Sequence, residues 1–137
     1  MLKARRLTFR WRYFIIYDKL IFVMVWTIEY YSLAVEERIM DMPAGIRARY
    51  FAIANRMKAQ GPNLGMPYVR PMGEGLYEIR AKGSEGHGRV FYCTVKVKTI
   101  IMLHCFIKKT PATPKRELDI ARRRMGEVKN ERTGKGG

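Results

Sequence analysis

Three consecutive segments between residues 76 and 108 carry the pattern that most restricts the fold of this chain. Each is rich in aliphatic, aromatic and β-branched residues, which is typical of β-strands over 76–81, 89–96 and 100–108. The connections between them are short: a glycine-rich turn over 82–88 and a second turn near 96–99. Because short turns join antiparallel neighbours, this pattern predicts a three-stranded antiparallel meander.

Helical patterns flank the meander on both sides. A strand over 25–31 precedes Ser32, which can cap a short helix ending near Pro43, and a second helix extends from there to Gly61. The second helix has one apolar stripe, formed by Ile46, Tyr50, Ile53 and Met57. Segment 61–75 contains three prolines and four glycines and is predicted to be a loop. Thr113 and Pro114 begin a last helix, and a polar tail follows.

This order of elements predicts an α+β fold. A small antiparallel sheet packs against an N-terminal helical hairpin, and a C-terminal helix follows the meander. The other face of the sheet is left partly free for a ligand. The predicted domain covers residues 24–126, with a flexible polar tail over 127–137.

Residues 1–23 form a basic and apolar extension before this domain. They hold six basic residues and one acid, Asp18. The apolar run is interrupted by Asp18 and Lys19, so it is too short and too polar to span a bilayer. No small-x-small cleavage site follows, and Trp26, Tyr30 and Tyr31 stand there instead. The segment is predicted to be an added strand, an arm or a product of an upstream start codon.

The charge of the chain points to an anionic partner. There are 27 Lys and Arg against 12 Asp and Glu, a formal net charge of +15, in a chain that is 47% hydrophobic. A chain that is disordered throughout is thereby excluded, since this hydrophobic content supports a core. Nucleic acid, an acidic protein or an anionic membrane surface would each suit such a charge.

Metal and redox chemistry have little support in the sequence. Cys93 and Cys105 are too few for a disulfide framework, which favours a reduced cytoplasmic compartment. With His87 and His104 they make four potential ligands, but no CxxC or HxxxH spacing is present. No metal site and no cofactor are predicted.

Two arginines of the meander suggest phosphate chemistry. Arg80 and Arg89 stand at the two ends of the 82–88 turn and are therefore close in space whatever the register. Arginines on a sheet face can bind phosphate bidentately and stabilise charge that develops during phosphoryl transfer. In RNA the 2′-hydroxyl supplies the nucleophile, so the protein needs only cations and groups that accept and donate protons. A solvated basic face or simple phosphate anchoring is the competing interpretation.

Several ordered motifs resemble those of the RelE/ParE superfamily of toxins. They are Gly75-Leu-Tyr-Glu-Ile-Arg80, Gly88-Arg-Val-Phe-Tyr92, Leu103-His-Cys-Phe-Ile-Lys-Lys-Thr110 and Thr113-Pro114. The chain is most similar to the HigB-like, phage-derived branch, over about residues 24–126. This resemblance implies that the chain is the toxin of a type II toxin–antitoxin pair and that this toxin cleaves mRNA on the ribosome. Its partner would be a small helix-turn-helix antitoxin.

The resemblance also implies roles for particular residues. Arg89 matches the arginine that faces the scissile phosphate, and Arg80 with Lys108 or Lys109 matches phosphate-binding positions. His104 is a candidate for proton transfer, although a histidine in mid-strand is more often a packed core residue. Lys82, Lys109 and Arg116 are expected to add contacts to RNA. A C-terminal tyrosine used by some relatives has no counterpart, since residues 111–137 contain no Tyr.

Two other functions stay open at this point. A ParE-like toxin of the same superfamily would inhibit a topoisomerase without cutting RNA. A catalytically inactive, nucleic-acid-binding prophage protein would keep the basic face and lack the chemistry.

Overall fold

A computed structural model describes the backbone of residues 11–16 and 19–134 and the side chains of residues 25–131. The predicted α+β class is confirmed. The elements are β1 (Trp11–Ile16), β2 (Lys19–Met24), β3 (Thr27–Tyr30), α1 (Leu33–Met40), α2 (Ala44–Gln60), β4 (Val69–Gly73), β5 (Leu76–Gly83), β6 (Gly86–Val95), β7 (Thr99–Lys108) and α3 (Lys115–Gly134).

The main sheet has five strands in the order β3-β7-β6-β5-β4. Strands β5, β6 and β7 form the predicted three-stranded antiparallel meander, and β4 adds a fourth antiparallel strand beside β5. Strand β3 pairs with β7 in parallel, from Thr27 opposite Thr99 to Tyr30 opposite Met102, so the sheet is mixed. The helical hairpin of α1 and α2 carries the chain from the β3 edge to the β4 edge.

Strand β4 corrects the prediction that 61–75 is entirely a loop. Val69 and Arg70 pair with Ile79 and Glu78 of β5, and Val69 is buried. A proline is tolerated in this strand because β4 is an edge strand, where one side needs no backbone donor. The many glycines and prolines conceal the strand from a sequence pattern.

The β5–β6 turn is held against the start of α2. Pro43 provides no side-chain cap, and instead the carboxylate of Glu85 accepts a hydrogen bond from the backbone N–H of Gly45 at 2.8 Å. Backbone hydrogen bonds to this carboxylate lower the pKa of Glu85. A Cβ at Gly88 would lie 2.4 Å from the side chain of Ile46, so glycine is required for this close approach. The end of the hairpin is thereby fixed relative to the helices.

The sheet separates two hydrophobic cores. One lies under α1 and α2 and includes the predicted stripe of Ile46, Tyr50, Ile53 and Met57, which is confirmed. The other lies under α3 and is formed by Leu76, Phe91, Cys93, Val95, Ile101, Leu103, Phe106, Ala121, Met125 and Val128. Each face of the sheet thus packs on helices.

Helix α3 extends further than predicted. The predicted polar tail over 127–137 is wrong in its first part, because the helix continues to Gly134 and Val128 is buried against the sheet. Apolar residues at 118, 121, 125 and 128 keep one face of the helix on the core. Residues 135–137 lie outside the described part of the chain.

The N-terminal segment contains a separate two-stranded antiparallel sheet. It pairs β1 with β2, from Trp11 opposite Met24 to Ile16 opposite Lys19. Residues 1–10, 17 and 18 of the predicted extension lie outside the described residues, and its independence of the domain stays a prediction. Among the helices described, none is both long and apolar enough to cross a bilayer.

Candidate functional site: a cationic cleft on the sheet

The register of the meander brings the predicted cations onto one face. Arg80 lies directly opposite Arg89, and His87 lies opposite both Lys82 and Lys108. Strands β5 and β6 extend to Gly83 and Gly86, so the connecting turn is shorter than predicted and Lys82 and His87 belong to the strands. Since opposing residues project to the same side of a sheet, these five side chains form a cluster on the α3 face.

Two adjoining cavities open at this cluster, and together we call them the cationic cleft. Arg80, His87 and Arg89 line both of them. The first, about 450 Å³, is completed by Arg49, Pro67, Tyr68 and Lys82. The second, about 370 Å³, is completed by Lys108, Lys109, Thr110 and Pro111. The first cavity thus combines cations with an aromatic ring, and the second adds Lys108 and Lys109 to the cations that both cavities share.

Arg89 is the most deeply placed of these cations. Its side chain is only 3% exposed, and Nη1 donates a hydrogen bond to the carbonyl of Gly88 at 3.1 Å. Among residues 25–131, Nη2 has no hydrogen-bond partner. Burial lowers the pKa of Arg89, while the nearby Glu78 carboxylate acts in the opposite direction. A partly desolvated guanidinium with a free edge is well suited to bind a phosphate oxygen.

Lys108 is electrostatically coupled to this arginine. Desolvation lowers the pKa of Lys108, and the positive charge of Arg89 lowers it further. Lys108 also lies opposite His87 across the strands. A lysine whose proton is destabilised by neighbouring cations can act in proton transfer as well as in phosphate binding.

The structure does not bring His104 into the cleft. Its ring is 2% exposed and lies under α3, where Nε2 is 3.0 Å from the carboxylate of Glu117 and Nδ1 is 3.4 Å from Nη1 of Arg124. A neutral ring with the proton on Nε2 satisfies both contacts, since Arg124 can only donate. Burial lowers the pKa of His104, although Glu117 opposes this. His104 therefore links α3 to the sheet.

Arg116 is also outside the cleft. It is exposed on the first turn of α3 and lines neither cavity. The remaining predicted cations, Arg80, Lys82, Arg89, Lys108 and Lys109, all line the cleft.

Several cleft residues are not singled out by the sequence. His87 is noted only as a possible metal ligand, because the predicted turn hides its place on a strand. Arg49 lies on the polar side of α2, and Tyr68 lies just before β4, so their approach depends on how the helix and the preceding loop pack. One neighbour of the cleft, Glu78, could be found from the sequence, because the strand pattern places this carboxylate on the same face as Arg80.

Glu78 lies immediately behind the cleft and is completely buried. Its carboxylate is 3.6 Å from Nε of Arg89, 3.5 Å from Nη2 of Arg70 and 3.5 Å from the hydroxyl of Thr113. These groups come from β6, from β4 and from the loop before α3. The carboxylate thus connects the cleft to two other parts of the fold.

Metal-ligating groups do not gather in the part of the chain that the structure describes. No cluster of three or more His, Cys, Asp or Glu side chains is suited to a metal there. Both cysteines are buried, and burial raises the pKa of each to about 11, so the thiols stay protonated.

The family comparison matches the part of the chain that builds this cleft. The profile described as Phage derived protein Gp49-like (DUF891) matches residues 37–126, about two thirds of the chain. The chain belongs to this Gp49-like family. The family is phage-derived and of RelE-like, toxin-like type. No curated protein matches the chain at a significant level.

The Gp49-like match includes every side chain that lines the cleft. It begins within α1, ends within α3 and contains the segment from Arg49 to Pro111. Strands β1, β2 and β3 precede it. The cationic cleft is therefore a feature of the Gp49-like region itself.

Proposed function

We propose that this Gp49-like protein is the toxin of a HigB-like type II toxin–antitoxin pair and cleaves single-stranded RNA, with mRNA on the ribosome as its substrate. The observation that carries the proposal is Arg89, a nearly buried guanidinium whose free edge faces a cleft lined by further cations. The charge and the partial burial both favour a phosphodiester. Its partner is a helix-turn-helix antitoxin.

The shape of the cleft supports a single-stranded ligand. A phosphate at Arg89 lies where the two cavities meet, so the strand can extend in both directions. Tyr68 and Pro67 offer apolar and aromatic surface to a base on one side. Lys108, Lys109 and Thr110 offer donors to the next phosphate on the other side. Aromatic stacking beside a basic groove is typical of binding to unpaired nucleic acid.

The chemistry needs no nucleophile from the protein. The 2′-oxygen attacks the adjacent phosphorus, and the bond from phosphorus to the 5′-oxygen of the next nucleotide breaks. The products are a 2′,3′-cyclic phosphate and a 5′-hydroxyl. Arg89 stabilises the additional negative charge of the transition state, and Arg80 holds a non-bridging oxygen. Lys108 is placed to accept the 2′ proton, and His87 is placed to donate a proton to the leaving oxygen.

A direct test compares the wild-type chain with Arg89→Ala in a reconstituted translation system, with and without ribosomes. We expect cleavage within the message to require ribosomes and to fall about 10²–10³-fold in the variant, as when a donor to a transition-state oxyanion is lost. Arg123→Ala is the matched control, since Arg123 is an exposed arginine of α3 that pairs with Glu127. Its cleavage rate should equal that of the wild type.

Growth after induced expression distinguishes the other two functions. Arrest with intact transcripts and a DNA-damage response would indicate a topoisomerase inhibitor and contradict the proposal. Normal growth would indicate a protein that binds nucleic acid without cutting it. Arrest that Arg89→Ala relieves, while the variant still binds a helix-turn-helix protein encoded nearby, supports the toxin.

A further inference from the structure

An ion network centred on a buried carboxylate lies behind the cleft. Glu78 is fully buried and lines neither cavity, yet it lies 3.6 Å from Arg89, the central cation of the cleft. Its second cationic neighbour, Arg70, is 3.5 Å away. Burying a carboxylate is costly unless cations compensate its charge, so this arrangement requires an explanation.

The contacts within the network are longer than ordinary hydrogen bonds. Oε1 of Glu78, Nε of Arg89 and Nε of Arg70 are buried and have no hydrogen-bond partner within the described residues. The attraction between Glu78 and Arg89 is therefore mainly electrostatic, and it acts through a poorly hydrated interior where such attraction is strong. The network also draws in Thr113, whose hydroxyl is 3.5 Å from Glu78 and 3.5 Å from Nη2 of Arg70.

The position of Glu78 determines which edge of Arg89 remains available. The carboxylate faces the Nε edge, and the carbonyl of Gly88 accepts from Nη1. The guanidinium is thus held from two sides, and Nη2 remains for a ligand. The same carboxylate offsets repulsion among Arg70, Arg80 and Arg89, which the register places on neighbouring strands.

We propose that Glu78 is a positioning residue that holds Arg89 with its free edge toward the scissile phosphate. This inference rests on the proposed function for its effect on cleavage, but the contact itself can be tested without activity. Glu78 does not touch substrate, because it is buried behind the strand surface. Its contribution is to keep Arg89 in one orientation, so that little reorganisation is needed when the phosphate gains charge.

The test replaces the carboxylate with its neutral counterpart, Glu78→Gln. We expect kcat for RNA cleavage to fall about 10–100-fold, by analogy with the loss of residues that orient metal ligands. KM, and Kd for a non-cleavable 2′-O-methyl oligonucleotide, should stay within about twofold, because the variant removes a negative charge and keeps every cation. Glu74→Gln is the matched control, since Glu74 is an exposed carboxylate 3.8 Å from Arg122. It should leave kcat unchanged.

A spectroscopic measurement tests the contact independently of catalysis. The Nε–H resonance of Arg89 is assigned by its absence in Arg89→Lys. We expect Glu78→Gln to shift this resonance and to speed its exchange with water, and Glu74→Gln to leave it in place. If the wild type cleaves no RNA, the proposed function fails, while this shift still supports the contact between Glu78 and Arg89.

Two outcomes would overturn the inference. The first is an unchanged kcat or an unchanged Arg89 resonance in folded Glu78→Gln. The second is a loss of kcat and of binding in equal proportion that matches the unfolded fraction, which indicates a structural role alone. Should Glu78→Gln not fold, Glu78→Asp takes its place, because it keeps the charge and withdraws it from Arg89. The Glu78→Asp variant should bind the oligonucleotide with the Kd of the wild type and retain only part of the wild-type kcat.

Discussion

The face of the sheet that carries α3 has two halves of opposite chemistry. In the covered half, α3 packs on Phe91, Leu103 and their neighbours, and the one buried histidine is fully hydrogen-bonded. In the open half, Arg80, Arg89 and Lys108 line the cationic cleft. Both halves are built from strands β5, β6 and β7, so the difference lies in what each half is packed against.

Two contacts between a buried side chain and a carboxylate illustrate this difference. In the covered half, His104 and Glu117 meet at 3.0 Å and Arg124 satisfies the other ring nitrogen. In the open half, Arg89 and Glu78 are 3.6 Å apart and Arg89 keeps a free edge. A satisfied buried polar group stabilises the fold, whereas an unsatisfied one next to a cavity is available to a ligand. We therefore expect the covered half to contribute most to stability and the open half to carry the proposed binding of RNA.

The largest effect is expected from a cavity in the covered half. Leu103→Ala should lower the free energy of unfolding by about 2–5 kcal/mol, because Leu103 is completely buried under α3. Chemical denaturation measures this loss. The Kd for a non-cleavable oligonucleotide, corrected for the folded fraction, should stay within about twofold. A much weaker Kd in the folded protein would show that the two halves are coupled.

A smaller effect is expected from the histidine of the same half. Because burial lowers the pKa of His104 below its ordinary value of 6.5, the unfolded chain binds a proton more readily than the folded one. His104 thus destabilises the fold as pH falls below about 6.5. His104→Gln should flatten this dependence between pH 5 and 7, and should cost about 1 kcal/mol at pH 7.5 through weaker hydrogen bonds.

Denaturation curves at several pH values measure this effect. Leu103→Ala is the control, since it is less stable overall but keeps the histidine and should keep the pH slope of the wild type. A His104→Gln variant with the full wild-type slope would contradict the assignment of the proton to this ring.

Local pattern was sufficient to predict most of the strands and the pair of arginines. Runs of aliphatic, aromatic and β-branched residues between short turns identify β5, β6 and β7, and a short turn brings Arg80 and Arg89 together in any register. It could not find β4, because an edge strand tolerates glycine and proline and loses the usual signal. It also ended α3 too early, since the polar residues after 126 conceal one buried position, Val128.

The packing partners of individual side chains could not be predicted from a sequence pattern. His104 and Arg89 both lie in mid-strand on the same face, and only the position of α3 separates a structural role from a binding role. A β-bulge in β7 also changes which side chains share a face. Phe91 pairs with His104 and Tyr92 pairs with Met102, so Leu103 is an extra residue in β7. Leu103 and His104 consequently both contact the α3 side, and Arg124 donates to the carbonyl of Leu103 at 2.9 Å.

The smallest effect distinguishes two exposed cations that are both expected from the sequence to contact RNA. Lys82 lines the cleft, whereas Arg116 lies on the first turn of α3, over the covered half. If Lys82 neutralises one phosphate, Lys82→Ala should reduce the slope of log K against log salt by about 0.7 for a single strand. Arg116→Ala should leave the slope unchanged. Titrations of a non-cleavable oligonucleotide at four salt concentrations measure both slopes. Equal reductions in the two variants would extend the binding surface across α3 and remove the division between the halves, because phosphate contacts would then no longer be confined to the open end of the sheet.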